Sequence, residues 1–426
     1  MFRPIISPWW VVFGATLGLT VANGPIVFFT FGLFLGPVTT EFHWDRATFS
    51  SSLLAGHALA ALAYPFMGRA IDRYGIRRVT LTFIPIFALA TGAIALTPPS
   101  PIVFIALAAF CGLVSTGQAP PAYAKAVSAW FDERRGLALG IAMAGIGIGA
   151  AVVPQFARVA INTYGWRAAY VMLGALTVGV AFPAVALFVR EPDARTRQMV
   201  TGAPGVLAGV ELAQALRTST FWLLAVSVFL VVTTINGIVG HLVPLLTDRG
   251  IDVLQATSTL SAVGLSTIAG RVVAGYLLDR LFAPYVAAGV FLLPLVAVGL
   301  LTTRAAGAAP LFAAISLGFG LGAEIDVIGF LVSRYFGLRA YGQIYGSLFA
   351  IFTLGTGLGP VLMARCFDLT RAYNTTLIVF GIALVCASAL VSSLGPYAFP
   401  AGSRRGFVPA ESAFPIRDRE SAAGLR

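Results

Sequence analysis

Twelve apolar segments, each long enough to cross a lipid bilayer, follow one another along this chain of 426 residues. A membrane-spanning helix needs about 20 apolar residues. Hydrophobic residues make up 58% of the chain and charged residues only 11%, whereas a soluble domain carries about 25% charged residues. We therefore predict an all-α membrane protein with twelve transmembrane helices. The predicted spans are 9–36, 47–67, 79–96, 101–124, 136–157, 167–189, 221–246, 255–278, 285–303, 309–333, 341–364 and 375–394.

The net charge is +11, but the basic residues are not clustered as they are in a nucleic-acid-binding protein. Lys125 is the only lysine, and the arginines stand singly or in pairs between apolar segments, as topological signals do. No GxxxxGK[ST] motif surrounds Lys125, which excludes a P-loop nucleotide site. The three cysteines are too few and too scattered for a disulfide framework or a metal site. We therefore predict no nucleic acid, nucleotide, metal or cofactor, and the chain is not an enzyme.

The distribution of arginine and lysine predicts the orientation. With the N-terminus placed inside, 20 of the 28 basic residues fall on the inner side and seven on the outer side. Cytoplasmic loops carry the excess of basic residues. We therefore predict a multi-pass protein of the cell inner membrane or plasma membrane with both termini in the cytoplasm.

The chain also repeats itself at an offset close to 206 residues. The segment from Gly68 to Arg73 recurs from Gly275 to Arg280. A constant offset in a twelve-span chain predicts two parallel six-helix halves, which is transporter architecture. The predicted units are an N-terminal six-helix bundle (1–189), a cytoplasmic linker loop (190–220), a C-terminal six-helix bundle (221–396) and a disordered cytoplasmic tail (397–426).

Two motifs carry a family resemblance. The pattern Gly-x3-Asp-Arg-x-Gly-x-Arg-Arg over 68–78 resembles the cytoplasmic signature loop of the major facilitator superfamily. The segment 130–149 resembles the span-five motif of its monocarboxylate transporter family. The resemblance implies a proton-linked or exchanging carrier of small organic anions that works by alternating access. The related oxalate/formate antiporters pair an arginine of span eight with a lysine of span eleven, and this chain has no lysine there.

The signature loop is better explained as a gate than as a binding site. Asp72 stands at the end of span two, where its carboxylate can cap or pair with the cytoplasmic end of a neighbouring helix. Such a contact would stabilise the outward-open state. The predicted gating residues are Gly68, Asp72, Arg73, Gly75 and Arg77, with Asp279 and Arg280 in the repeat.

Arg271 is the most informative residue of the predicted spans. It precedes Asp279 by eight residues, which places it about 12 Å into the membrane at 1.5 Å per residue. An arginine near the midplane costs about 2.5–3.5 kcal/mol on insertion scales. Its guanidinium grips a carboxylate through two parallel hydrogen bonds. We predict that Arg271 anchors the carboxylate of a substrate, and the alternative is a structural ion pair with an acid on a neighbouring span.

Glu324 and Asp326 are the two acids at membrane depth, about 15 and 12 Å from Arg334 along a helix. They differ by about 200° of rotation, so they cannot share one face, and one can lie near Arg271. Burial disfavours the charged form of a carboxyl. An acid that is protonated only while the substrate anion is present would couple transport to protons. A static salt bridge is the alternative, and the choice between the two acids stays open.

Polar and aromatic side chains inside the spans are the remaining candidates for substrate contact. They can bind a substrate or hold helices together, and the sequence leaves both open. These candidates are Asn23, Gln118, Tyr123, Asn236, His241 and Phe28. For Phe28, lipid contact is the alternative, and His57 is read as a packing residue. Pro120 and Pro121 remove two backbone donors and should kink or break span four.

The sequence thus predicts a secondary transporter that moves a small organic anion of the monocarboxylate class by alternating access, coupled to protons. Its partners would be the substrate, protons and the lipid bilayer. One alternative is a proton-linked uptake carrier for a neutral or aromatic nutrient, with Arg271 in a structural ion pair. Weaker alternatives are a drug efflux antiporter and a transporter-like sensor that signals through its tail.

Overall fold

The computed structural model describes residues 7–192, 208–303, 307–370 and 372–399. Within these ranges the regular structure is helical, and a single isolated bridge pairs Gly209 with Gly337. The helices are α1 Pro8–Thr20, α2 Phe31–Phe42, α3 Arg46–Tyr74, α4 Ile76–Ala93, α5 Pro101–Ser115, α6 Pro120–Trp130, α7 Arg135–Phe188, α8 Leu212–Ala215, α9 Ser219–Gly240, α10 Leu242–Thr247, α11 Val253–Arg280, α12 Ala283–Thr302, α13 Ala309–Tyr335, α14 Tyr341–Thr370 and α15 Asn374–Ser392.

Ten helical stretches of the described residues are long and apolar enough to cross a membrane. Two helices explain the difference between these ten and the predicted twelve spans. Helix α7 counts once with its 54 residues, about 80 Å of straight helix, but its backbone is non-helical at Gly165, where φ is 82°. It therefore holds two spans. Helix α3 has 29 residues and is not among the ten, because it is less apolar than the other spans: three consecutive serines and His57 interrupt its apolar stretch before the charged last turns. The all-helical membrane fold is confirmed, and twelve is reached only when both helices are counted in this way.

Two of the predicted spans are interrupted. In the first, α1 ends at Thr20 and a π-helical turn over Gly24–Phe28 precedes α2. Turns of this type are rare and are frequent at functional sites. In the fourth, a 3₁₀ turn over Thr116–Gln118 separates α5 from α6, which begins at Pro120. The break predicted for span four is confirmed, because proline lacks the N–H that would continue the helix.

The two halves meet along two pairs of helices, α3 with α14 and α7 with α11. Glycines bring the backbones together at both contacts. Gly68 faces Gly342, and Gly136 faces Gly275, so that a Cβ atom at any of the four would overlap the opposing backbone. Gly68 and Gly275 differ by the repeat offset, and so do Gly136 and Gly342. The repeat therefore generates two equivalent contacts.

The described ends of the central linker lie on one side of the molecule, which we call the linker face. The indole of Trp130 donates a hydrogen bond to the carbonyl of Arg190 at 2.6 Å. At the other end, the amide of Val210 donates to the carbonyl of Phe336, in the loop before α14, at 2.9 Å. The linker is thus attached to both halves, and residues 193–207 lie outside the described residues.

The last described residues pack against the linker-face ends of α12 and α13. The hydroxyl of Tyr397 accepts a hydrogen bond from the amide of Ala283 at 2.7 Å. The amide of Phe399 donates to the carbonyl of Arg334 at 2.9 Å. The predicted disordered tail begins within this packed segment, and its residues 400–426 lie outside the described part of the chain.

Candidate functional site

Arg271 forms an ion pair with one of the two acids at membrane depth. Its Nη1 lies 3.3 Å from Oδ1 of Asp326, so that α11 is joined to α13. Arg271 is 3% exposed and Asp326 is 1% exposed. A buried charge is strongly destabilising without a partner. The pair therefore explains how α11 holds an arginine in its apolar surroundings.

Glu324 lies near this pair and has no partner among the residues that the structure describes. It is 2% exposed, and neither of its carboxyl oxygens makes a hydrogen bond to any described residue. Oδ2 of Asp326 and Nε of Arg271 are equally unpartnered within the described ranges. We call Arg271, Glu324 and Asp326 the charged cluster. Its unused donor and acceptors give it the capacity to take up a further polar group or a proton.

The N-terminal half contributes two buried polar side chains at the break between α5 and α6. Gln118 and Tyr123 are completely buried. Both amide atoms of Gln118 and the hydroxyl of Tyr123 lack a hydrogen-bond partner among the described residues. The phenol of Tyr123 lies against α1 at Gly18, which has no side chain to displace it. These groups can form hydrogen bonds to a polar ligand, as a substrate contact requires.

Asn23 and Phe28 line a small cavity inside the N-terminal half. It holds about 30 Å³, room for one or two water molecules. His57, which the sequence assigned to packing, lines the same cavity. Its Nδ1 is 2.8 Å from the carbonyl of Leu53, and its ring meets that of Phe28 edge to face at 5.9 Å.

Two side chains that were predicted to contact the substrate form hydrogen bonds or close contacts with backbone carbonyls instead. Asn236 donates a hydrogen bond to the carbonyl of Val232 in its own helix at 2.9 Å. His241 stands at the end of α9, with Nε2 3.1 Å from the carbonyl of Pro360. A larger cavity, of about 690 Å³, opens in the C-terminal half on the side opposite the linker face, and none of the predicted site residues lines it.

Two aspartates close the linker face in equivalent ways. Asp72 accepts hydrogen bonds from the amides of Gly342 and Gln343 at 2.9 and 2.8 Å, at the start of α14. Asp279 accepts hydrogen bonds from the amides of Gly136 and Leu137 at 2.6 and 2.8 Å, at the start of α7. Carboxylates are stabilising at helix N-termini. Each half thus holds the first turn of a helix in the other half.

Lys125 is part of this closure, which the sequence analysis missed. The residue is 5% exposed, and its ammonium lies 3.1 Å from Asp72 and 3.5 Å from Glu191. Its status as the only lysine, in an otherwise apolar stretch of α6, was the available signal. The sequence analysis also missed an ion pair between the two halves, in which Arg334 lies 2.8 Å from Asp132. Both residues fall in predicted loops, so nothing in the sequence suggested that they meet.

The other predicted gating residues make contacts within their own half. Arg77 donates to the carbonyl of Ala186 at 2.6 Å. Arg73 lies over the ring of Tyr74 at 5.3 Å, and Arg280 lies over a tyrosine ring at 4.2 Å. Gly75 has a φ of 81°, which favours glycine at the turn between α3 and α4.

The comparisons with known proteins agree with this architecture. The family model described as Major Facilitator Superfamily matches residues 12–360. The chain belongs to this superfamily. Rat monocarboxylate transporter 13 is 26% identical over 391 residues, which covers 91% of this chain and 88% of the relative. An uncharacterized MFS-type transporter of Escherichia coli K12, YhjX, is 24% identical over 357 residues, with 83% and 86% covered.

Solved structures of the major facilitator superfamily have the same fold. The E. coli fucose:proton symporter FucP (N162A) has a TM-score of 0.68 at 16% identity, covering 91% of this chain and 98% of that one. Membership of the superfamily confirms the predicted family and fold. The protein is a multi-pass membrane transporter with a small-molecule substrate, and not an enzyme.

The glycine contacts of this superfamily member yield a first prediction. Gly68→Ala should destabilise the closed linker face, because the new Cβ would overlap the backbone of Gly342. We expect a lower thermal unfolding midpoint in detergent and reduced transport. Gly357→Ala, on α14, is the matched control, since no atom lies within 4 Å of its Cβ position. Alanine is favoured over glycine in helices by about 1 kcal/mol, so the control should be neutral or stabilising. Equal effects of both variants would contradict the close-contact explanation.

Proposed function

We propose that the protein is a secondary active transporter that moves a small organic anion of the monocarboxylate class together with protons. The observation that carries this proposal is the buried pair of Arg271 and Asp326 beside the unpartnered Glu324. Ionisable residues inside membrane helices mark substrate and ion pathways. The similarity to monocarboxylate transporter 13 supports the same substrate class.

Binding and proton uptake would be linked by exchange of partners on Arg271. The carboxylate of the substrate replaces Asp326 on the guanidinium, which binds carboxylates through two parallel hydrogen bonds. Asp326 then has no positive partner, and an unpaired buried charge is strongly destabilising, so it takes up a proton. Glu324, two residues away with both oxygens unpartnered, would receive or pass on that proton. One anion and one proton enter the site together, and the charge of the cluster is unchanged.

Alternating access would use the linker face as its closed side. This face is held shut by the two glycine contacts and by the hydrogen bonds of Asp72 and Asp279 to helix N-termini, which we call the aspartate caps. The excess of basic residues on the linker side supports a cytoplasmic location for it. A substrate would therefore enter from outside, and it would be released into the cytoplasm when the hydrogen bonds of Asp72 and Asp279 break. The membrane would be the inner membrane or the plasma membrane of the cell.

The variant Asp326→Asn tests the exchange of partners. Asparagine is neutral, as protonated aspartate is, and cannot release a proton. In proteoliposomes we expect exchange of labelled lactate or pyruvate to persist while accumulation driven by a pH gradient is lost. Asp45→Asn, at the exposed N-cap of α3, is the control and should accumulate substrate like the unchanged protein. Gradient-driven accumulation by Asp326→Asn would contradict proton coupling through this residue.

One observation favours a second candidate, a proton-linked carrier of a neutral or aromatic nutrient. Asp326 already neutralises Arg271, so the pair can act as a permanent structural contact. In that case Asp326→Asn leaves Arg271 buried without a partner and lowers every transport activity together. The same variant therefore separates the two candidates.

A further inference from the structure

Two tyrosines of α14 form hydrogen bonds to the helix that carries both buried acids. The hydroxyl of Tyr345 donates to the carbonyl of Ile325 at 2.9 Å, and the hydroxyl of Tyr341 donates to the carbonyl of Gly329 at 3.0 Å. Donors and acceptors are each four residues apart, so one face of α14 is joined to one face of α13 over a full turn. Ile325 stands between Glu324 and Asp326. The hydrogen bond of Tyr345 is therefore made to the backbone of the residue between the two acids.

The environment of these phenols makes the two bonds strong and specific. Both tyrosines are fully buried, and Tyr345 is within electrostatic range of Arg271 and Asp326. A hydrogen bond in such low-dielectric surroundings is stronger than one in water. Glycine at position 329 leaves room for both tyrosines, since a Cβ atom there would lie 3.1 Å from the hydroxyl oxygen of Tyr341 and 3.2 Å from a ring carbon of Tyr345.

The same turn of α14 is where the N-terminal half closes the linker face. Asp72 accepts hydrogen bonds from the amides of Gly342 and Gln343, two of the three residues between the tyrosines. On the adjacent side, Tyr64 of α3 meets the ring of Phe349 edge to face at 4.9 Å. A continuous series of contacts therefore runs from the charged cluster through the tyrosine hydroxyls to the cap.

From this arrangement we propose that Tyr341 and Tyr345 are positioning residues that couple the charged cluster to the gate. The hydroxyls make α13 and α14 move as one unit, so that separation of Arg271 from Asp326 withdraws the first turn of α14 from Asp72. In this role the tyrosines act through α13 and α14, and contact with the substrate is not required. This inference rests on the proposed function, because it assigns the path by which substrate and proton binding open the linker face.

The test uses Tyr345→Phe and Tyr341→Phe in the full-length protein, since phenylalanine keeps the ring and removes only the hydroxyl. We measure the ratio of pH-driven lactate accumulation to lactate exchange in proteoliposomes. Allosteric coupling is typically 5–150-fold, so we expect the ratio to fall about fivefold or more in the double variant. Tyr335→Phe is the control, because its hydroxyl donates to the carbonyl of Gly395 and does not join α13 to α14. Its ratio should equal that of the unchanged protein.

A second measurement is independent of the substrate. Spin labels at Arg69→Cys and Leu281→Cys, two exposed positions on the linker face, one in each half, report its opening at low and high pH once the three native cysteines are replaced by serine. We expect the tyrosine double variant to lose the pH dependence of the label distance. An unchanged ratio and an unchanged distance response would overturn the inference, as would an equal loss of accumulation and exchange. If the unchanged protein itself shows no pH-driven accumulation, the proposed function fails, and the label distances still decide the role of the tyrosines.

Discussion

Arg271→Gln is expected to reduce strongly the uptake of the monocarboxylate proposed as the substrate. The guanidinium supplies the one positive charge of the charged cluster, and glutamine offers neither that charge nor the two parallel hydrogen bonds. Losing one partner of a buried, hydrogen-bonded charge pair costs about 2–5 kcal/mol. A tenfold change in affinity corresponds to about 1.4 kcal/mol. We therefore expect binding to weaken by roughly 30-fold or more, measured as uptake of labelled lactate or pyruvate.

The control must separate loss of the anchor from loss of folding, because Arg271→Gln leaves Asp326 buried without a partner. The double variant Arg271→Gln, Asp326→Asn removes both charges and should restore the thermal unfolding midpoint without restoring uptake. Arg158→Gln changes an exposed arginine of α7 that belongs to neither the charged cluster nor the gate, and it should retain uptake. Normal lactate uptake by the double variant would refute the anchor role.

The second large effect is expected at the gate. Asp72→Asn should shift the transporter toward a state in which the linker face is open. Asparagine has no charge and only one acceptor oxygen, whereas Asp72 accepts two backbone amides and contacts Lys125. A hydrogen bond to a charged group contributes about 1.5–3 kcal/mol. The ratio of open to closed states should therefore rise roughly 10- to 150-fold. The measurement is the distance between spin labels at Arg69→Cys and Leu281→Cys.

The repeat supplies an internal comparison for this prediction. Asp279→Asn removes the equivalent cap on Gly136 and Leu137. If the two caps act independently, the free energies of the single variants should add in the double variant to within about 0.5 kcal/mol. If one variant alone causes the whole shift toward the open state and the other has no effect, the two contacts are equivalent in geometry but not in energy.

Hydropathy and spacing predicted most of the fold of this protein. Apolar segments bounded by glycine and proline predicted the helices, and the pair Pro120 and Pro121 predicted the break of the fourth span. The offset of 206 residues predicted two equivalent halves. In each case the determining physics is local, since it depends on residues close in the chain or on a pattern that repeats. The π-helical turn at Gly24–Phe28 was not predicted, because a single proline does not specify how a helix resumes.

The membership of the charged cluster was predictable, but its pairing was not. Charged residues in apolar spans stand out, so Arg271, Glu324 and Asp326 were found from the sequence. Which acid meets the arginine depends on how far α13 is rotated about its axis. That rotation is set by close packing on α11, where Gly322 faces the backbone of Thr267. Such packing joins residues distant in the chain, and one sequence does not reveal it.

The aspartate caps bind backbone amides, and this choice of partner has an evolutionary consequence. The positions that donate, Leu137 and Gln343, differ in chemical class although the repeat makes them equivalent. A backbone N–H is supplied by every residue except proline. The donor side of each cap can therefore drift in sequence, while the acceptor must remain a carboxylate and the facing glycines must remain small. After a gene duplication, the donor positions in the two halves can therefore change in sequence while both hydrogen-bonded contacts of the linker face are kept.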